Sequence, residues 1–182
     1  MSPYDQIIAE LKDEFPKFKL VEKKDSLLMK ALNIFLKVIT FGLMKTFMTN
    51  FTTTVGYTIY TPSRWNILDR VGILKHERVH MRQMRRYGRI WFSLSYTFLW
   101  FPTVFAYFRK KYEQEAYETS MLHSAQSYGI KYIEDPKYRE RMIARFTTAQ
   151  YFWTWPWRKS LETWFDEALQ RVRKKMGIVA PA

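Results

Sequence analysis

Apolar residues first recur at helical spacing near the N-terminus, where Ile7, Ile8 and Leu11 share one face of a helix predicted over residues 3–14. Phe15-Pro16 ends it, because the residue before a proline is driven out of helical backbone. Asp25-Ser26 can cap a second, far more apolar helix over 27–48, whose only charges are Lys30, Lys37 and Lys45. A helix of this kind is either buried or lies in a bilayer interface with its lysines reaching back to water. Over 52–61 the period changes to two. Val55, Tyr57 and Ile59 alternate with Thr54, Gly56, Thr58 and Tyr60, the pattern of a strand or short hairpin, closed by Pro62-Ser63.

The next helix starts at Ser63 or Asn66 and runs to Tyr87, with Gly88 as its stop. On its wheel Ile73, Met84 and Tyr87 fall beside His76 and His80, while Arg78, Arg82, Arg85, Arg86 and Arg89 share the opposite side. Residues 90–108 carry no charge and as one helix would reach about 28 Å, close to a bilayer's hydrocarbon thickness. Pro102 and the density of Trp, Tyr and Phe suit a folded-back hairpin or an interfacial element better than a spanning helix. A polar helix over 107–128 follows, ending at Gly129. Asp135-Pro136 opens another, the aromatic run 151–157 breaks it, and a basic-ended helix over 160–176 closes the chain. The reading is a mostly helical α+β fold.

At 182 residues the chain fits one domain, with a core at about 50–128 and helical extensions over 1–49 and 130–182. There is no cysteine, which excludes disulfides, thiolate zinc sites and a cysteine nucleophile. Thirty Lys and Arg against 17 Asp and Glu leave a net charge of +13, which favours an anionic partner, either nucleic acid or a lipid surface. The arginine side of the histidine helix is the expected contact. The polar N-terminus has no apolar stretch of signal-peptide type, so the expectation is a cytoplasmic chain able to associate with a membrane.

His76-Glu77-Arg78-Val79-His80 carries the chemistry. On a helix, residues four apart lie one turn apart on one face, so both imidazoles can reach a single metal ion. Glu77 is rotated about 100° away, beside the ion but not on it, where a general base belongs. Catalytic zinc takes three protein ligands and keeps a fourth position open. The metzincin pattern needs glycine at 83 and histidine at 86, but Gln83 and Arg86 stand there. The third ligand must come from elsewhere: Glu113, Glu115 or Glu118 in the acidic turn 112–118, or His123.

HExxH followed by E-x-x-A on a later helix resembles the gluzincins. The closer likeness is to small bacterial and phage proteins of metallopeptidase type, which read T-x-G-x-x-I-Y-x-P, then L-x-x-H-E-x-x-H-x-x-Q, then E-x-E-A-Y. The counterparts here begin at Thr54, at Ile73-Leu74 and at Glu113, so the likeness covers about 52–120. It implies a zincin-like core with Zn2+ on His76, His80 and Glu113, Glu77 as base, and a peptide or protein as substrate. Thermolysin-like members place an aspartate four residues after the ligand glutamate, where this chain has Tyr117. Tyr112, Tyr117 and His123 are candidates to steady a ligand or stabilise the oxyanion.

Two other classes fit parts of the pattern. One is a non-catalytic zincin-like binding or structural protein at a phage or membrane surface. The other is a nucleic-acid-linked protease of the SprT-like kind, which a missing third histidine and the lack of cysteine argue against. Geometry adds a constraint. A straight helix from His80 to Glu113 would hold them about 50 Å apart, so residues 90–108 must fold back if both serve one ion.

Overall fold

The computed structural model describes every residue except 40, 41, 43, 44, 66–68, 98–105, 149–154 and 179–182. The chain gathers into two compact units, Met1–Met81 and Arg82–Ala182.

The first unit opens with α1, Pro3–Glu14. Its start is over-determined: Ser2 accepts from the Asp5 amide, Asp5 reaches back to the Ser2 backbone, and Pro3 occupies the first helical position. Then come β1, Lys19–Glu22, a 3-10 turn at Lys23–Asp25, α2, Leu27–Ile39, and α3, Phe47–Asn50. The single helix expected over 27–48 is therefore interrupted. Gly42 sits at φ +81°, a left-handed conformation that ends a helix and that glycine adopts at no steric cost.

β2, Thr53–Val55, and β3, Thr58–Thr61, form an antiparallel hairpin about a Gly56-Tyr57 turn, with Val55 opposite Thr58. β1 joins β3 in parallel, Lys19 opposite Thr58, giving the strand order β1-β3-β2. The sequence pattern shows no strand at 19–22, because the four residues Lys19–Glu22 are too few to show a period. The core of this unit is Ile7 and Leu11 from α1, Phe15 at its C-terminal cap, Ile59 from β3, and Leu74 and Met81 from α4, Arg70–Tyr87. Of the two starts expected for α4, Asn66 lies outside the described residues, and at Ser63 the chain is in a turn whose Ser63 and Arg64 amides bond the carbonyls of Met48 and Thr49.

The last turns of α4 belong to the second unit. Gly88 closes α4 at φ +85°, and its carbonyl takes the Phe92 amide at the start of α5, Arg89–Thr97. α6, Ala106–Tyr128, α7, Ile130–Glu134, α8, Pro136–Thr147, and α9, Arg158–Lys175, complete it. Asp135 caps α8 by accepting from Lys137, as its place before proline suggested. The core here combines Tyr117, Met121 and Ala125 of α6 with Ile143 and Phe146 of α8 and Leu161, Trp164 and Phe165 of α9. The Phe146 ring meets those of Tyr117 and Trp164 edge-on, at 5.5 and 5.4 Å between centroids.

The fold is thus mostly helical α+β with one three-stranded sheet. Among the described residues no helix is long and apolar enough to cross a membrane. Of the expected hairpin at 90–108, residues 98–105 lie outside the described ones, but α5 and α6 pack on each other. The Phe92 and Tyr112 rings meet tilted at 5.0 Å between centroids, and Ser95 Oγ lies 3.1 Å from the Tyr112 hydroxyl.

α1 is built into the same core as the histidine helix, so a defect there should cost the whole unit. Leu11→Ala, at a fully buried position, should lower the free energy of denaturant unfolding by about 2–5 kcal/mol. A loss under about 1 kcal/mol would mean α1 is not docked.

Candidate metal centre

α4 forms where good helix formers run unbroken by proline, and its pitch stacks His76 over His80. Their Nε2 atoms are 3.2 Å apart, with ring centroids at 4.9 Å. Two nitrogens bound at about 2.0–2.1 Å to a tetrahedral ion would be about 3.3–3.4 Å apart, so the pair is already spaced to chelate. His80 is buried and His76 half-buried.

Glu77 is 7% exposed. Its Oε2 accepts a 2.6 Å hydrogen bond from the Thr54 hydroxyl on β2. Thr54 was legible only as part of the T-x-G motif; its role as the partner of Glu77 was not. Lys23 was missed altogether. Its side chain is fully buried, donates to the Phe47 carbonyl at 2.8 Å, and lies 3.5 Å from the centre of the Phe47 ring. Burial pushes its ammonium down to about 7, opposed by the negative charge of Glu77. Lysine on a polar turn reads as solvated, so no sequence signal pointed to it.

The acidic turn of α6 separates by environment. Glu113 is 6% exposed and its Oε1 takes the Tyr96 hydroxyl of α5 in a short hydrogen bond. A straight helix would hold those residues about 25 Å apart. Glu115 is exposed and occupied by Gln83, at 3.0 Å, and Arg86, at 3.5 Å. Glu118 takes Arg171 at 2.9 Å and Lys175 at 3.0 Å. Of the three carboxylates considered, only Glu113 joins the histidines. The ligating atoms of His76, His80 and Glu113 all lie within 4.8 Å of one another. The donor set, two imidazoles and a carboxylate, suits zinc or another ion of similar preference.

Other expected residues fall elsewhere. Tyr112 is buried with its hydroxyl at Ser95, and Tyr117 is buried in the second core with Arg145 over its ring at 5.1 Å. His123 is half-buried on α6, about 15 Å along the helix from Glu113, and is not in the metal-competent group. Arg78 does not belong to a solvated arginine face: it is half-buried and bonds Glu10 and Glu14 of α1, each at 2.6 Å. Arg82, Arg85, Arg86 and Arg89 are exposed. The reason is periodicity itself, which reads sidedness but cannot see a carboxylate arriving from another helix.

Lys23 gives a measurable pH dependence. It holds its proton up to about 10.5 when unfolded but only to about 7 when folded. Unfolding therefore takes up a proton between those values, and stability rises with pH across that window by up to about 1.4 kcal/mol per unit. Denaturant unfolding at pH 6.5, 8 and 9.5 should show this slope in the natural chain and not in Lys23→Met; equal slopes would contradict it. No protein-family model, curated protein or solved structure matches this chain, so the chemistry of the centre rests on its own residues.

Proposed function

We propose that the chain is a zinc-dependent peptide hydrolase of gluzincin type, with His76, His80 and Glu113 as ligands and Glu77 as general base. The observation that carries the reading is the gathering of two imidazoles and a buried carboxylate within 4.8 Å. Metalloproteases with an open fourth position use that ligand set. When bound, the metal supplies Lewis acidity that lowers the pKa of water and polarises a peptide carbonyl.

The chain's own residues do the rest. Glu77 accepts the proton of the attacking water and delivers it to the departing amine. The Thr54 hydroxyl on Oε2 sets the orientation of that carboxylate, leaving Oε1 for the proton. Tyr96 holds Glu113 by one oxygen, which orients the other as a ligand. β2 is an edge strand and carries Thr54. A substrate pairing along that edge in extended form would be guided toward Glu77.

Three kinds of variant separate ligand, base and bystander. His76→Ala, His80→Ala and Glu113→Ala should each lose zinc measured by elemental analysis, whereas Glu115→Ala and Glu118→Ala keep it. Glu77→Gln should keep zinc and cut quenched peptide substrates roughly 10²–10⁴-fold more slowly. Zinc retained by Glu113→Ala would overturn the ligand assignment. Cleavage by Glu77→Gln at the natural rate would overturn the base. A zinc-loaded natural chain that cleaves no peptide in a random library would leave a metal-binding protein without hydrolysis.

A further inference from the structure

The outer face of α2 is apolar. Met29 is fully buried and Leu32, Asn33 and Leu36 half-buried on the inner side, while Leu27, Leu28, Ile34, Phe35 and Val38 are 53–80% exposed. With Ala31, also exposed, they cover an arc of about 120°. Lys30 and Lys37 stand two turns apart along one edge of that arc, both exposed. The sequence from residue 26 to 68 contains no aspartate or glutamate.

We propose that α2 lies flat in the interface of an anionic lipid bilayer, with this arc among the acyl chains and the two lysines on the phosphates. A single exposed apolar side chain would need no explanation, but a contiguous row of this length does. α2, Leu27–Ile39, is about 20 Å long, too short to span about 30 Å of hydrocarbon and suited to lie in the plane. Lysines at the border of the arc bury their methylenes against it and extend their ammonium groups to the headgroups.

A second copy of the chain fits less well. One face of a helix this long offers a few hundred Å², against about 800 Å² per partner in a stable complex. Face-to-face pairing would also bring together two chains of net charge +13 through a stretch free of carboxylates. An anionic bilayer has no such area requirement and the opposite charge. The inference is independent of the metal centre.

The absence of cysteine makes Phe35→Cys a unique handle for an environment-sensitive fluorophore. On full-length protein with vesicles of phosphatidylcholine and phosphatidylglycerol at low salt, the label's emission should shift to the blue. Spin-labelled acyl chains should quench it. Pure phosphatidylcholine vesicles, or high salt, should reduce the bound fraction several-fold. The unlabelled Ile34→Ser/Phe35→Ser chain, substituted only at exposed positions and checked for unchanged thermal unfolding, should bind anionic vesicles at least tenfold less. Natural chain that stays with the supernatant, a label that does not respond while the protein sediments with lipid, or a double variant that binds like the natural chain would overturn the proposal. So would a dimer in sedimentation analysis that the double variant dissociates and lipid does not.

Discussion

The spacing between two imidazoles is the constraint from which the rest follows. Helical pitch stacks His76 over His80, and their ring orientations bring the Nε2 atoms to 3.2 Å. It also points Glu77 off to the side, into a region where a carboxylate is nearly sealed from water. Burying a charge is costly unless it is hydrogen-bonded and balanced. The first unit meets that cost locally: Thr54 donates to Glu77, and the buried Lys23, held by the Phe47 carbonyl, supplies the opposite charge. A hydrophobic core has no use for such a group of polar side chains. A perturbed, buried ionisable group such as Lys23 is commonest where chemistry is done, and Glu113 is likewise buried, with a tyrosine partner.

The parts of the fold visible in the sequence are those with a period long enough to register. α1, α6, α8 and α9 lie within a few residues of their expected bounds because proline, glycine or an aspartate cap marks at least one end of each. β1 was invisible: the four residues Lys19–Glu22 become a strand only because β3 lies beside them. α2 was expected to run on to residue 48, and one glycine in a left-handed conformation prevents it.

At the site, the histidine pair was legible from spacing because the helix repeat carries the geometry directly. Spacing left Glu113, Glu115 and Glu118 open, and only the E-x-x-A resemblance singled out Glu113. The choice depends on which of them is already occupied: Gln83 and Arg86 hold Glu115, and Arg171 and Lys175 hold Glu118. Thr54, Tyr96 and Lys23 matter only through the residues they touch. Arg78 shows the converse error, since its spacing placed it on a solvated face and two glutamates of α1 claim it.

The central claim is that one ion is shared by two imidazoles and one carboxylate. X-ray absorption of the zinc-loaded full chain reads that directly. The account predicts a four-coordinate shell of nitrogen and oxygen at about 2.0–2.2 Å, with outer scattering from two imidazole rings that falls to one in His76→Ala. A shell with one imidazole or none, or a spectrum unchanged by His76→Ala, would contradict it.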